Sequence, residues 1–318
     1  MASVKFDSKI YEIEEGESVL DSLLRNDIKA KYSCKAGLCH ACVLRADQGG
    51  VPESSQRGIS DNQKAMNYFL ACQCHPENDL CVSAVDQAAR FSKAKVVNKE
   101  MLSPTVLGLK LFVNFDFKPG QFVTLWRDGN VGRSYSIASL PEEHLIECHI
   151  KIVESGAYSS WAKDSLRVDD VIEIQGPLGE CFYQADLGQS LLLSAIGTGL
   201  SPILGILRDA LAKGHHGRID LILGGMSPES FYLVEELKLL EQQHSNIKIH
   251  FVCQSQVVEF AEHGDIYQYA LSQFADLKGY KVYLCGAPTF VQRMTKQCFL
   301  NGAAMTDISS DAFVHSVQ

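Results

Sequence analysis

The most constraining feature of this chain of 318 residues is a set of four cysteines with the spacing C-x4-C-x2-C-x29-C. Cys34, Cys39 and Cys42 lie in the run YSCKAGLCHACVLRADQG, and Cys72 follows in FLACQC. This is the plant-type spacing for thiolates that hold a [2Fe–2S] cluster. Gly37 lies between the first two cysteines, where the missing side chain lets the backbone approach the sulfides and direct N–H groups at them. The spacing therefore predicts a centre that carries electrons one at a time.

A zinc site is the alternative interpretation of these cysteines. Cys39 and Cys42 together with Cys72 and Cys74 would also supply four thiolates, and C-x2-C pairs are common zinc ligands. A zinc site does not require the C-x4-C spacing of Cys34 and Cys39, however, and zinc bound by the other four cysteines leaves Cys34 without a role. The iron–sulfur interpretation is favoured, and the other cysteines are expected to be reduced packing residues.

Composition and charge exclude several classes of protein. The apolar fraction is 46%, and 29 basic against 38 acidic residues give a formal charge of −9. The charge is spread evenly, so no basic cluster offers a surface to nucleic acid or to anionic lipid. The longest apolar run, 191–207, is interrupted by three glycines and a proline, which argues against a membrane-spanning helix. We expect a cytoplasmic protein with no signal peptide, no membrane and no nucleic-acid partner.

Differences in strand and helix pattern predict three domains, with the bounds 1–92, 93–186 and 187–318. In the first, two short strands, a helix that Ser18 caps, and later strands at CVLRAD and LCVSAVD predict a β-grasp fold around the cysteine loop.

The second segment opens with a charged joint, FSKAKVVNKE, and continues as short strands, which is typical of a small antiparallel β-barrel. Turns between its strands are predicted at Pro119-Gly120, Asp128-Gly129 and Gly176-Pro177. From residue 187 strands alternate with helices, which predicts a parallel, doubly wound α/β sheet of the Rossmann-like, nucleotide-binding type.

Two barrel motifs are candidates for binding a cofactor that carries phosphate and a flat ring. The strand Arg133-Ser134-Tyr135-Ser136 offers an arginine to a pyrophosphate, a tyrosine that would stack on a ring, and a serine that would hydrogen-bond a ring nitrogen. The turn Gly156-Ala157-Tyr158-Ser159 opens a helix whose free N–H groups favour an anion. An ordinary strand and an ordinary capped helix are the plain structural alternatives.

Two turns of the third segment mark the carboxyl edge of its sheet, where doubly wound folds bind nucleotides. Gly197-Thr198-Gly199 runs into the helix LSPILGIL, and Cys285-Gly286-Ala287-Pro288 closes a later strand. The first turn lacks the full G-x-G-x-x-G pattern, so each turn alone is also compatible with a tight strand-to-helix connection.

In their order along the chain, the cysteine loop and the motifs R-x-Y-S, G-x-x-S, G-T-G-x-x-P and C-G-x-P resemble the ferredoxin–NAD(P)H reductase superfamily of flavoproteins. The chain is most similar to the reductase components of bacterial multicomponent oxygenases, whose domain order is ferredoxin, flavin domain, nicotinamide domain. The resemblance implies an NAD(P)H-dependent oxidoreductase with FAD. It also implies that electrons pass from NADH through FAD and the [2Fe–2S] cluster to a partner, for which a terminal oxygenase is expected.

The resemblance also implies roles for individual residues. Ser136 and Cys285 are implied to be catalytic, because they would orient the flavin and the nicotinamide. The implied contacts to FAD are Arg133, Ser134, Tyr135, Ser136, His149, Ile150, Lys151, Gly156, Ala157, Tyr158 and Ser159, and those to the nicotinamide nucleotide are Gly197, Thr198, Gly199, Pro202, Cys285 and Gly286.

The choice between NADH and NADPH is predicted from one segment. Relatives that prefer NADPH often place an arginine just after the strand that ends in GG, where it meets the 2′-phosphate. Here Gly224 and Gly225 are followed by Met226 and, three residues later, by Glu229. An acid in this position repels a phosphate and accepts a ribose hydroxyl, so NADH is predicted.

The sequence is also compatible with other functions. A reductase for sugar deoxygenation or for another redox partner has the same layout. A flavin and iron–sulfur redox sensor without turnover, or a zinc-bearing interaction module, belongs to a different class of protein.

Overall fold

The computed structural model describes residues 2–85, 91–129 and 131–314, and it contains three sheets that follow one another along the chain. Asp86, the last residue of the predicted strand LCVSAVD, lies outside the described residues. The domain bounds after residues 92 and 186 stay predictions. Within the described ranges, no helix has the length and apolar character needed to cross a bilayer.

The first sheet has the predicted β-grasp arrangement. Its elements are β1 (Ser3–Phe6), β2 (Lys9–Glu12), α1 (Val19–Arg25), β3 (Val43–Gln48), α2 (Asp61–Ala65), β4 (Tyr68–Leu70) and β5 (Leu80–Ala84). The strand order is β2-β1-β5-β3-β4, with β1 and β5 parallel. Ser18 caps α1 by accepting the N–H of Asp21 at 3.1 Å, as predicted, and Leu20 and Leu23 are fully buried in the core.

The second sheet is the predicted antiparallel barrel. Its elements are β6 (Phe91–Ser103), β7 (Val106–Phe112), β8 (Phe122–Trp126), β9 (Gly132–Ser136), β10 (Leu145–Lys151), α3 (Ser159–Asp164) and β11 (Val171–Leu178). The order is β10-β7-β6-β11-β8-β9. The two outer strands meet where Ile137 bridges Cys148 and the N–H of Ala138 donates to the carbonyl of Glu147 at 2.8 Å.

Two details of the barrel differ from the prediction. The segment FSKAKVVNKE is no joint, because it is the first part of β6 and pairs with both β7 and β11. Gly176-Pro177 is not a turn but lies within β11, where the register against β8 shifts between Gln175 and Leu178. A proline has no N–H to give to a strand ladder, so the pairing is irregular there instead of ending.

The third sheet is parallel and doubly wound, as predicted. Its elements are β12 (Leu191–Ile196), α4 (Leu200–Ala212), β13 (Ile219–Gly225), α5 (Val234–Gln243), β14 (Ile247–Cys253), β15 (Glu262–His263), α6 (Ile266–Gln273), β16 (Lys281–Gly286), α7 (Pro288–Leu300) and β17 (Ile308–Ala312). The order is β15-β14-β13-β12-β16-β17, and α4 with α5 and α6 with α7 contribute to separate apolar clusters on the two faces. Strands β15 and β17 were not predicted, because they consist largely of polar residues.

Helix α4 packs directly on the barrel at the end of β9, where the two outer strands meet. Ser201 Oγ donates to the carbonyl of Ser136 at 2.8 Å. One turn further on, a Cβ on Gly205 would lie only 2.5 Å from the carbonyl oxygen of Ile137. Glycine at 205 therefore permits the close approach of the α/β sheet to the barrel.

We expect Gly205→Ala to destabilise the protein by at least about 1 kcal/mol, because the new methyl group meets backbone atoms that cannot move aside. The better helix propensity of alanine offsets only part of this cost. The matched control is Gly129→Ala, since a Cβ there meets nothing within 4 Å. Thermal unfolding of the two variants measures the difference, and equal unfolding temperatures would contradict the close approach.

Candidate functional site

The structure brings the four predicted metal ligands together as two adjoining pairs of thiols. Cys34 shares a hydrogen bond with Cys39, and Cys42 shares one with Cys72. The pairs are close enough for the charge of Cys34 to act on Cys72. Two pairs of cysteine sulfurs fit the ligand set of a [2Fe–2S] cluster, in which each iron has two protein ligands.

Backbone N–H groups surround the sulfur of Cys34. Its Sγ accepts hydrogen bonds from the N–H groups of Ala36, Leu38 and Cys39 at 3.3, 3.4 and 3.4 Å. The hydrogen bond from the Cys39 thiol and these N–H groups outweigh the effect of burial and lower the pKa of Cys34 to about 5. Since the thiolate is the form that binds metal, the loop backbone prepares Cys34 as a ligand.

The loop reaches this geometry through three residues with positive φ. Lys35, Gly37 and His40 have φ values of 52°, 78° and 53°. A Cβ on Gly37 would lie 2.9 Å from Cγ of Gln73, and the Gly37 N–H is directed at Cys72. The close approach predicted for Gly37 is therefore present, and both its φ and the available space favour glycine there.

Cys74, which the zinc alternative requires, lies in the apolar core of the β-grasp domain. It is fully buried, and burial raises the pKa of its thiol to about 12 despite a hydrogen bond with Ser55. The backbone N–H groups directed at Cys34 favour Cys34 over Cys74 in the ligand set.

Strands β9 and β10 lie side by side where the barrel closes, so two predicted groups of cofactor contacts are neighbours. Arg133 is half-buried, and its Nη1 donates to the carbonyl of Gly132 at 2.7 Å. In the described part of the chain no carboxylate forms an ion pair with it. Ser134 beside it is exposed, 3.0 Å from Thr124 Oγ1. A guanidinium without a carboxylate partner fits an anionic cofactor.

The turn 156–159 packs against the same strand. The rings of Tyr135 and Tyr158 lie 5.5 Å apart between centroids, and burial raises the pKa of both. Tyr158 is buried, and its hydroxyl has no hydrogen-bond partner among the residues that the structure describes. Ser159 Oγ accepts the N–H of Val153 at 3.1 Å, so its hydroxyl already has a partner within the turn. Tyr158 belongs to the apolar core of the barrel, and its hydroxyl is a buried donor that the described residues leave unpaired.

The three β10 residues implied to contact the flavin have different surroundings. Ile150 lies in the barrel core, so its side chain is not available to a ligand. Lys151 Nζ donates to Thr105 Oγ1 at 2.8 Å. His149 is buried at the contact with the α/β sheet.

His149 belongs to a polar network that joins the barrel to the α/β sheet. Its Nδ1 lies 2.9 Å from the Tyr232 hydroxyl, and its Nε2 lies 3.2 Å from Glu147 Oε1. Arg208 places Nη1 3.4 Å from Glu147 Oε2 and Nη2 2.6 Å from Glu236 Oε1. Burial disfavours the charged form of Glu147, but the hydrogen bond from His149 and the nearby positive charges lower its pKa to about 2.

A cleft opens at the carboxyl edge of the parallel sheet, beside the predicted nucleotide loop. It is lined by Ala195, Gly197, Leu200, Leu223, Gly224, Ser230, Phe231 and Tyr232. Gly197 has a φ of 53°, and Thr198 is half-buried. A Cβ on Gly199 would collide with the carbonyl of Cys285, and Pro202 is buried in the first turn of α4. The turn and the cleft mark the carboxyl edge of the sheet, where doubly wound folds bind nucleotides.

The two residues implied to be catalytic meet at a third, Asp311. Ser136 Oγ donates to Asp311 Oδ2 at 3.0 Å, and Asp311 pairs with Cys285 between β16 and β17. Burial raises the pKa of Asp311 to about 6. Cys285 is buried with its Sγ 3.9 Å from Cys181 Sγ, and Gly286 after it has a φ of 145°.

Asp311 was not predicted as a site residue, because the pattern of its strand is only weakly typical of a buried strand. Polar residues occupy three of the five positions of Ile308–Ala312. The signal that would have found it is the alternation of a doubly wound sheet, in which another strand is expected after α7. Arg208 and Glu147 were missed because neither lies in a motif.

Family models match the chain in three consecutive parts. A 2Fe-2S iron–sulfur cluster binding domain matches residues 4–77, an oxidoreductase FAD-binding domain matches 93–183, and an oxidoreductase NAD-binding domain matches 193–296. The chain therefore has binding domains for a [2Fe–2S] cluster, FAD and NAD, and it is an NAD(P)H-dependent oxidoreductase.

Similar proteins match over nearly the whole chain. The reductase component, ferredoxin–NAD(P)+, of the naphthalene 1,2-dioxygenase system of Pseudomonas putida is 30% identical, with 96% of each chain covered. The reductase component DmpP of phenol 2-monooxygenase from Pseudomonas sp. (strain CF600) is 30% identical, with 89% of this chain and 85% of the other covered. The solved structure of the ferredoxin reductase in carbazole 1,9a-dioxygenase is 26% identical, with a TM-score of 0.67 and 98% of each chain covered.

We expect Arg133→Ala to weaken FAD binding by about 1.5–3 kcal/mol, because a charged hydrogen-bond donor to the pyrophosphate is lost. The control is Arg167→Ala, since Arg167 also donates to a nearby backbone carbonyl, that of Asp164, at 2.8 Å. Fluorescence titration of deflavinated protein with FAD measures both variants. Unchanged affinity in Arg133→Ala would remove Arg133 from the flavin site.

Proposed function

The chain belongs to the family of ferredoxin–NAD(P)+ reductase components of oxygenase systems, and from this premise we propose that NADH is its electron donor and a terminal oxygenase its acceptor. The observation that carries the proposal is the order of contacts within one chain. The edge of the NAD domain meets the barrel at Ser136, Cys285 and Asp311, and the cysteine loop meets the same barrel at Trp126.

When bound, FAD and the cluster would supply the conversion of one hydride into a proton and two electrons that leave one at a time. The residues of the chain would hold these groups in position. Ser136 and Cys285 would hold the flavin ring and the nicotinamide against each other, and Asp311 fixes the Ser136 hydroxyl. Tyr232, held by His149, would close the nicotinamide cleft on the side of the barrel.

A cytoplasmic location is part of the proposal, because a reducing compartment keeps cysteine thiols available to bind iron. A redox sensor without turnover is the competing function. It is distinguished by the rate at which NADH bleaches the flavin absorbance in the purified protein, since a sensor of this kind would not turn over.

We expect Cys72→Ser to lose the cluster and with it one-electron transfer, because one of four ligands is removed, while NADH still reduces the flavin. The wild type should contain about two irons and two acid-labile sulfides. Ferricyanide reports electrons that leave the flavin directly, and cytochrome c or a purified oxygenase reports those that need the cluster. The control is Cys81→Ser, since Cys81 lies on β5, outside the loop. Loss of flavin reduction in Cys72→Ser would mean that the two steps are not separable.

The site for the adenosine ribose is formed by the residues after β13. Met226 is 65% exposed and follows Gly225 directly. Glu229 is fully exposed, and the hydrogen bond from Ser227 lowers its pKa, which keeps it charged. A 2′-phosphate beside these residues gains no donor and meets a negative charge, which supports NADH as the donor.

We expect NADH to be favoured over NADPH by at least about tenfold in kcat/KM, or about 1.4 kcal/mol. Met226→Arg combined with Glu229→Gln should narrow or reverse the ratio, because an attractive contact is added and a repulsive one removed. The control is Met305→Arg, which adds the same charge at an exposed methionine elsewhere. Steady-state rates with NADH and with NADPH, measured with ferricyanide as acceptor at one ionic strength, give the ratio for each variant. If the wild type uses both nucleotides equally, the 2′ site lies elsewhere.

A further inference from the structure

One aromatic side chain of the barrel covers the loop that carries the cluster ligands. Trp126, the last residue of β8, is 1% exposed and packs with Cys39 and Ala41 of the loop. Cys34 and Phe91 pack against the same three side chains. The contact between the first two domains is thus centred on a metal ligand.

The position of Trp126 is fixed from several sides. Gly132 lies opposite it on β9, and a Cβ there would be 2.7 Å from the indole ring. Phe91 meets the indole edge-on at 5.8 Å between centroids. Lys31 of the first domain places its Nζ 3.7 Å from the centroid of the Phe91 ring. The same Nζ lies 3.4 Å from Oε2 of Glu173, the residue of β11 that pairs with Trp126. The indole ring of Trp126 therefore has little freedom to move.

The indole N–H is buried and has no hydrogen-bond acceptor in the described residues. A buried donor without an acceptor is unfavourable. Cys39 Sγ, next to the ring, accepts the N–H of Cys34 at 3.5 Å. When a cluster binds, this loop gains thiolate and sulfide acceptors, both of which take N–H hydrogen bonds.

We propose that the indole N–H of Trp126 donates a hydrogen bond to a sulfur of the bound cluster, and that Trp126 thereby tunes the cluster and holds it on the flavin barrel. The inference rests on the proposed function only in taking the barrel as the source of electrons. A hydrogen bond to a cluster sulfur stabilises the more negative, reduced form and raises the reduction potential. On the barrel side, Gly132 opposite Trp126 precedes Arg133, so the same contact places the cluster loop beside the strand implied to bind FAD.

Pulsed electron paramagnetic resonance of the dithionite-reduced holoprotein, labelled with 15N in the tryptophan indoles, tests the hydrogen bond directly. The chain has two tryptophans, Trp126 and Trp161. We expect an indole nitrogen coupling to the cluster in the wild type and in Trp161→Phe, and its loss in Trp126→Phe. No coupling in the labelled wild type, or a coupling that persists in Trp126→Phe, would overturn the proposal. If Trp126→Phe does not load a cluster, the presence or absence of the nitrogen coupling in the labelled wild type decides the proposal.

The cluster potential gives a second readout. Trp126→Phe keeps an aromatic ring but removes the donor, so the equilibrium should shift about tenfold toward the oxidised cluster, or about 59 mV for a one-electron couple. An unchanged potential in a dye-mediated titration would show that Trp126 only fills space. Both measurements use dithionite, so they do not depend on NADH or on the acceptor. A failure of NADH to reduce the flavin would contradict the proposed function and leave this inference standing.

Discussion

Backbone N–H groups stabilise negative charge on a sulfur of the cysteine loop, and the conformation of the loop provides them. Three of them converge on Cys34, which is possible only because the chain turns through left-handed residues around Gly37. The fourth ligand, Cys72, comes from a later segment of the chain, and the pairing of Val43 with Leu70 brings that segment to the loop. That register places Ala71 opposite Cys42, with the N–H of Ala71 donating to the carbonyl of Cys42 at 3.0 Å, so Cys72 follows directly beside the loop.

The barrel makes two contacts of different chemistry with its neighbours. Toward the NAD domain the contact is polar and directional, because a buried carboxylate must be paired to be tolerated. Glu147 has His149 on one oxygen and Arg208 on the other, and Arg208 also reaches Glu236. Toward the first domain the contact is apolar and centred on Trp126, with charged groups only at its margin. The polar contact fixes an orientation, which hydride transfer needs, since reacting atoms must be aligned.

Sequence reasoning succeeded where function depends on neighbours along the chain. The cysteine spacing, the Ser18 cap and the alternation of strands and helices are local patterns, and the structure contains each of them. It failed where the partner is distant, because a single sequence does not show which residues meet. Ser136 and Asp311 are separated by 175 positions. The turn predicted at Gly176-Pro177 was wrong for a related reason, since the pairing of β11 with β8 continues past a dipeptide that usually ends a strand.

The location of Asp311 explains why a short, polar strand is kept at the end of the sheet. The strand buries little apolar surface, so core packing alone gives it little stability. Its contribution is to carry one carboxyl group to the place where β9 of the barrel meets β16. A carboxyl in an apolar setting favours its protonated form, whereas the Ser136 hydroxyl donates to it and favours the charged one. The two effects oppose each other at the point where Ser136 and Cys285 would orient the flavin and the nicotinamide. The strand is therefore better explained by the position of this carboxyl group than by the stability of the sheet.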